Sequence, residues 1–121
     1  MTGFTVKTRR LILERDHGIC QWCGETVSVE FYSLQHRRAR GMGGSKDPVA
    51  NSPANGVTVH GSGVSGCHGY IESHPQEALQ RGFRVPQGQD PRLVPLVDWR
   101  GVSLWLLQSG GRVEHEPEVP F

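Results

Sequence analysis

Apolar residues along this chain come in short bursts, each fitted to a short element and separated from the next by turn-forming residues. Leu11, Ile12 and Leu13 give residues 8–16 the bulk of a helix, and Gly18 stops it. Val27, Val29 and Phe31 alternate as in a half-buried strand, and the extended run continues through Leu34 towards His36. Residues 37–53, with Gly41-Met-Gly-Gly44, Ser45, Asp47 and Pro48, predict a long loop. Val57-Thr-Val59 predicts a second strand, and a Gly/Ser turn over 61–66 leads into a helix over 67–74. Pro75 ends that helix and suits the first turn of another, which Gly82 terminates. Residues 92–97, 102–107 and 112–114 predict strands, with a Ser109-Gly-Gly111 turn before the last and a frayed tail over 116–121. No internal repeat appears. The expectation is a single α+β domain over 1–121.

Composition sharpens this picture. The chain has 16 glycines and 8 prolines in 121 residues, so one residue in five is Gly or Pro; ordinary domains carry roughly 12%. Mean hydropathy is −0.44. So much loop on so small a core predicts that something besides packing holds the chain together. No stretch approaches the ~20 apolar residues that span a bilayer, and the first ten residues lack the apolar core of a secretory signal. No membrane partner and a cytoplasmic location are therefore expected.

The cysteines suggest what the extra constraint is. There are three, Cys20, Cys23 and Cys67, and an odd number without a secretory signal argues against a disulfide framework. Cys20-Gln-Trp-Cys23-Gly24 has zinc-knuckle spacing, in which a tight turn aims two thiolates at one ion. A redox dithiol would need a thioredoxin-like βαβ context, and none surrounds it.

Charge is uneven although the net is only +1. Residues 1–47 hold eight Lys/Arg against five Asp/Glu (+3), and residues 48–121 hold five against seven (−2). Arg37, Arg38, Arg40 and Lys46 fall in an acid-free stretch from Ser33 to Lys46. On charge alone a solvated basic loop is the simpler reading.

Specific residues stand at the joints of this pattern. His36 ends the first strand, Asn55 precedes the second, and His68 opens the helix directly after Cys67. In that order, with the blocks Gly18-Ile-Cys-Gln-Trp-Cys-Gly24, His36-Arg-Arg-Ala-Arg-Gly-Met-Gly-Gly-Ser45 and Gly61-Ser-Gly-Val-Ser-Gly-Cys-His-Gly69, the chain resembles the HNH endonuclease family, in particular small zinc-knuckle HNH proteins of bacteriophages and their hosts. The resemblance covers about residues 15–75. It implies a zinc-stabilised ββα-metal finger, preceded by the N-terminal helix and followed by a small β-rich extension over about 83–121.

The implied activity is metal-dependent hydrolysis of DNA phosphodiester bonds. His36 would be the general base, because imidazole titrates near neutral pH. His68 would hold a catalytic divalent ion such as Mg²⁺ or Mn²⁺, and Asn55 would either brace the loop carrying His36 or touch that metal. Two positions depart from the family. Gln35 stands where an Asp or His usually helps bind the catalytic ion, and Glu72 stands four residues after His68, where another His is common. A carboxylate at Glu72 would restore the charge that Gln35 omits; His74 is a lesser candidate.

Structural zinc would be held by Cys20, Cys23, Cys67 and a fourth ligand in place of the usual second cysteine, either His60 or His17, with His60 preferred. Arg37, Arg38, Arg40 and Lys46 would contact DNA phosphates without reading bases. Trp22 reads as a packing residue, and Trp99 and Trp105 as core. Two rival readings stand beside the nuclease. One is a DNA-binding module of the same fold without catalysis, favoured by Gln35; the other is a phage packaging or assembly partner.

Overall fold

A computed structural model describes residues 3–39 and 48–118. Helix α1 (Val6–Arg15) starts earlier than the apolar triplet suggests, because the Thr5 hydroxyl caps the Thr8 amide at 3.1 Å. Two consecutive residues with positive φ, His17 and Gly18, turn the chain into the cysteine knuckle.

Strand β1 covers only Tyr32–His36, shorter than the apolar alternation predicts. A turn closed from the Phe31 amide to the Ser28 carbonyl interrupts the run and leaves Val29 and Phe31 exposed. Strand β2 (Gly56–His60) pairs antiparallel with β1, placing His36 opposite Gly56 and Tyr32 opposite His60. Helices α2 (Gly66–Ser73) and α3 (Pro75–Gln80) follow. Residues 92–97 prove to be only partly strand: a 3-10 turn at Pro91–Leu93 precedes β3 (Leu96–Val97). Strands β4 (Ser103–Leu106) and β5 (Arg112–Val113) complete a small antiparallel sheet in the order β3-β4-β5.

One apolar cluster draws on both halves of the chain. Val57, Val59, Cys67 and Ile71 meet Ala78, Phe83, Leu96, Leu104 and Leu106 in it. Trp22 packs against this cluster, with its ring edge-on to Phe83 and the Arg81 guanidinium 3.8 Å from its centroid. It is a packing residue, as the sequence suggests. Trp99 and Trp105 are half-buried, a step short of the core position expected of them.

Two buried arginines tie the elements together. Arg15, at the end of α1, donates to Asp16 and to the carbonyls of Pro53 and Gly56, while Asp16 accepts from the Thr58 amide. Arg37, just past β1, is 1% exposed. Its guanidinium donates to the carbonyls of Gly82 (2.8 Å), Ala54 (3.0 Å), Pro91 (3.0 Å) and Val94 (2.6 Å). Burial, and secondarily the like charge of Arg15, pulls its pKa down to about 9, so it is a cation at neutral pH with carbonyl dipoles in place of water.

The expectation that Arg37 contacts DNA phosphates is therefore corrected: its donors face inward. Arg38 is corrected with it, being 8% exposed and bonded to the Gln89 carbonyl at 3.0 Å. Arg40 and Lys46 lie outside the described residues.

Arg37→Met should destabilise the fold by about 3–5 kcal/mol, since unpaired buried carbonyls cost about 1–3 kcal/mol each before relaxation and water entry reduce the sum. Arg37→Lys should recover little, because an ammonium cannot span four carbonyls held in a planar fork. Urea denaturation of the two variants checks both statements; a midpoint near that of the parent for Arg37→Lys would show that charge alone suffices.

Candidate metal centre and adjoining cleft

The knuckle is built by main-chain geometry. The Cys20 amide donates to the Glu25 carbonyl at 2.7 Å, and the Gly24 amide returns to the Cys20 carbonyl at 2.8 Å, curling Cys20 and Cys23 towards one point. Cys67 enters from the first turn of α2 and His60 from the end of β2. The ligand atoms of Cys20, Cys23, His60 and Cys67 all lie within 4.8 Å of one another. Cys23 Sγ is 3.5 Å from His60 Nδ1. Tetrahedral zinc, with bonds of about 2.3 Å to sulfur and 2.0 Å to nitrogen, would set sulfur and nitrogen about 3.5 Å apart. The four residues thus fit a structural zinc ion. His17 is exposed and stands outside the group.

Six residues between His60 and Cys67 would ordinarily hold them too far apart for one ion. The loop is pinched at its neck instead. Ser62 and Ser65 pair through their main chains and through a 2.8 Å hydroxyl contact, and Gly61 and Gly66 lie so close that a Cβ on Gly61 would sit 2.7 Å from the Gly66 α-carbon. Both glycines have positive φ. The excursion is therefore a closed loop whose two ends meet, and His60 and Cys67 leave it side by side.

Without a cation the thiols disfavour one another's ionisation. Burial first, then the negative charge of Cys20, pushes the Cys67 thiol far above its ordinary value, and the same two causes raise Cys23 against the pull of the Glu25 amide. A divalent ion reverses that balance, because it takes the thiolate and releases the proton.

His36 stands on the other end of the two-stranded sheet. Its ring stacks on Phe4 at 4.0 Å and 7°, and its Nε2 lies 2.9 Å from Asn51 Oδ1. An amide oxygen only accepts, so this contact suits a tautomer in which Nε2 donates. Gly56 opposite has no Cβ for a reason: one would meet the rings and side chains of Phe4 and Ile12.

Asn55 is fully buried and braces this loop. Its Oδ1 accepts from the Arg38 amide at 2.7 Å, and its Nδ2 donates to the Arg38 and Ala50 carbonyls. Of its two expected roles, the geometry matches bracing. Asn51, in the 3-10 turn Pro48–Asn51, hydrogen-bonds His36. No local signal in the sequence separates it from an ordinary loop asparagine.

His36, Gln35 and Glu72 line one cavity of about 240 Å³ together with Ala39, Ile71 and Arg84. His68 is not among the lining residues, but its Nε2 lies 3.5 Å from Glu72 Oε1 across one turn of α2. Gln35 Nε2 donates to the Phe83 carbonyl at 3.0 Å. Gln35 Oε1 and His68 Nδ1 are both buried without a hydrogen-bond partner among the described residues. His74 stacks on Tyr70 at the exposed end of α2, outside this cavity.

Purified protein should hold about one zinc per chain. Cys20→Ser and Cys67→Ser should lose it and unfold, His60→Cys should keep it, and His17→Ala should leave it untouched. Gly66→Ala should lower occupancy although it removes no ligand. Metal analysis paired with thermal melting reads all five.

The pH dependence has two arms. Neutral thiols support the stripped protein below about pH 9, and that support fades as pH rises and the crowded thiols are forced to ionise. Zinc affinity runs the other way, falling in acid as the ligands take up protons.

No protein-family model, curated protein or solved structure matches the chain.

Proposed function

We propose that this protein is a metal-dependent endonuclease of the HNH type, built on a ββα-metal core, that hydrolyses phosphodiester bonds in DNA. The observation that carries the reading is the setting of His36. A histidine held by a ring stack and by an amide on Nε2 opens onto a cavity that also contains Gln35 and Glu72. The order β1, β2, α2 and the three motif blocks resembling HNH proteins support it.

In this reading His36 Nδ1 takes a proton from water as the water oxygen forms a bond to phosphorus. The bond from phosphorus to the 3′-oxygen breaks, and that oxygen takes a proton from solvent, leaving 5′-phosphate and 3′-hydroxyl ends. Phe4 and Asn51 keep the base in one orientation and one tautomer. Gln35, His68 and Glu72 would hold a divalent ion, which supplies positive charge at the phosphate oxygens and the leaving oxygen. The two buried atoms without partners, Gln35 Oε1 and His68 Nδ1, belong to this set and are chemically suited to a cation.

A second reading, a DNA-binding module of the same fold without catalysis, is favoured by Gln35. Its amide is anchored on the Phe83 carbonyl, and it carries no charge to strengthen a metal site.

Supercoiled-plasmid cleavage across a panel of divalent ions separates the two. His36→Ala should leave zinc content, melting and DNA affinity near those of the parent and slow nicking by about 10²–10⁴-fold. Asn51→Ala should keep the fold, slow nicking less, and shift its pH profile, because the imidazole tautomer is no longer held. A parent that binds DNA and never cuts it gives the function to the non-catalytic reading, and one that binds no DNA points to an assembly role. An active parent whose His36→Ala variant cuts at an unchanged rate would eliminate the mechanism.

A further inference from the structure

Arg37 and Arg38 are turned inward, and Arg40 and Lys46 lie outside the described residues, so among the described residues the cavity needs another source of positive charge if a phosphate is to enter it. We infer that Arg84, from the C-terminal extension, is the residue that grips the DNA phosphate at this cleft. The inference rests on the nuclease reading of the cleft.

Arg84 lines the same cavity as His36, Gln35 and Glu72; Arg37 borders it too, but its guanidinium donors are committed to carbonyls. It is exposed, and among the described residues its guanidinium makes no hydrogen bond or ion pair, although Glu72 borders the same space. The other described arginines near His36 differ. Arg37 faces four carbonyls, Arg38 is bonded to the Gln89 carbonyl, and Arg81 donates to the carbonyls of Trp22 and Val97.

The backbone around Arg84 is also firmly placed. The Arg84 amide donates to the Ala78 carbonyl, the buried Val85 donates to the Arg37 carbonyl at 2.9 Å, and Gln87 Nε2 donates to the Ala39 carbonyl at 2.6 Å. The last two bonds tie residues 85–87 to the segment that follows His36, and the first ties Arg84 to α3. A guanidinium carried on this backbone has its donors unassigned among the described residues and can reach into the cavity that His36 lines, as a bidentate grip on a phosphate requires. Nothing in the sequence signals this, since Arg84 lies far from His36 along the chain and outside the HNH-like blocks.

The test measures binding of a short DNA duplex over a salt series, with calcium as the added divalent ion, and plasmid cleavage with magnesium or manganese. Arg84→Ala should keep zinc and melting temperature, weaken duplex binding about tenfold, and reduce the salt slope by about 0.9. Arg84→Lys should restore the slope but only part of the affinity and rate, because it keeps the charge and loses the fork.

If the parent cuts DNA and Arg84→Ala binds and cuts as the parent does, the inference is overturned and the nuclease reading stands. If the parent binds without cutting, the nuclease reading fails, and the salt slope of Arg84→Ala still decides whether Arg84 meets a phosphate. A parent that binds no DNA overturns both.

Discussion

The buried guanidinium of Arg37 decides how the two halves of this protein meet. It leaves the end of β1 and satisfies carbonyls from the turn before β2, from the end of the α3 segment and from both sides of the turn at Pro91–Leu93. A charge taken out of water has to be replaced at every donor, or the fold loses more than it gains. Four carbonyls from three stretches of chain do that, and they can do so only when those stretches converge. The β-rich extension is thereby packed against the segment that carries His36, and the apolar cluster shared by both halves follows from the same docking.

At the opposite end of the two-stranded sheet, the Cys/His group solves a different problem. The chain around it is rich in glycine and serine, and such a sequence loses much conformational entropy on folding and contributes little apolar area. Ligands from the knuckle, the end of β2 and the start of α2 converge within a few ångströms, so one ion would cross-link three elements at once. The pinch at Gly61 and Gly66 makes this possible, because side chains larger than hydrogen would hold the two ends of the loop apart. Cross-link and core are adjacent, with Cys20 and Cys67 belonging to both.

Between these two anchors lies the cleft. His36 is contributed to it by β1, the Asn51 amide by the 3-10 turn Pro48–Asn51, Glu72 by α2 and Arg84 by the extension. Each comes from an element held by one of the anchors, so the relative placement of His36, Glu72 and Arg84 is a property of the whole packed structure. In the proposed reading, such a cleft would set a base and a cation around one anionic group without a strongly basic surface, in keeping with a net charge of only +1.

The sequence by itself determined what depends on neighbours along the chain. The knuckle at Cys20 and Cys23 and the succession of strand, strand and helix follow from spacing, period and the chemistry of thiols, while the resemblance to HNH proteins pointed to His60, ahead of His17, as the fourth ligand. It also marked His36 and Asn55, because each stands where an element begins or ends. Tertiary structure decided everything that depends on which way a side chain turns. Arg37 and Arg38 read as a basic surface because charge is normally solvated, and only distant carbonyls make an inward orientation stable. Asn51, Phe4 and Arg84 carry no local mark, and they acquire their places through contacts with residues far away in sequence. A pattern of residue types reports local preference; the partner that satisfies a buried donor, or leaves an exposed one open, exists only once the chain has closed on itself.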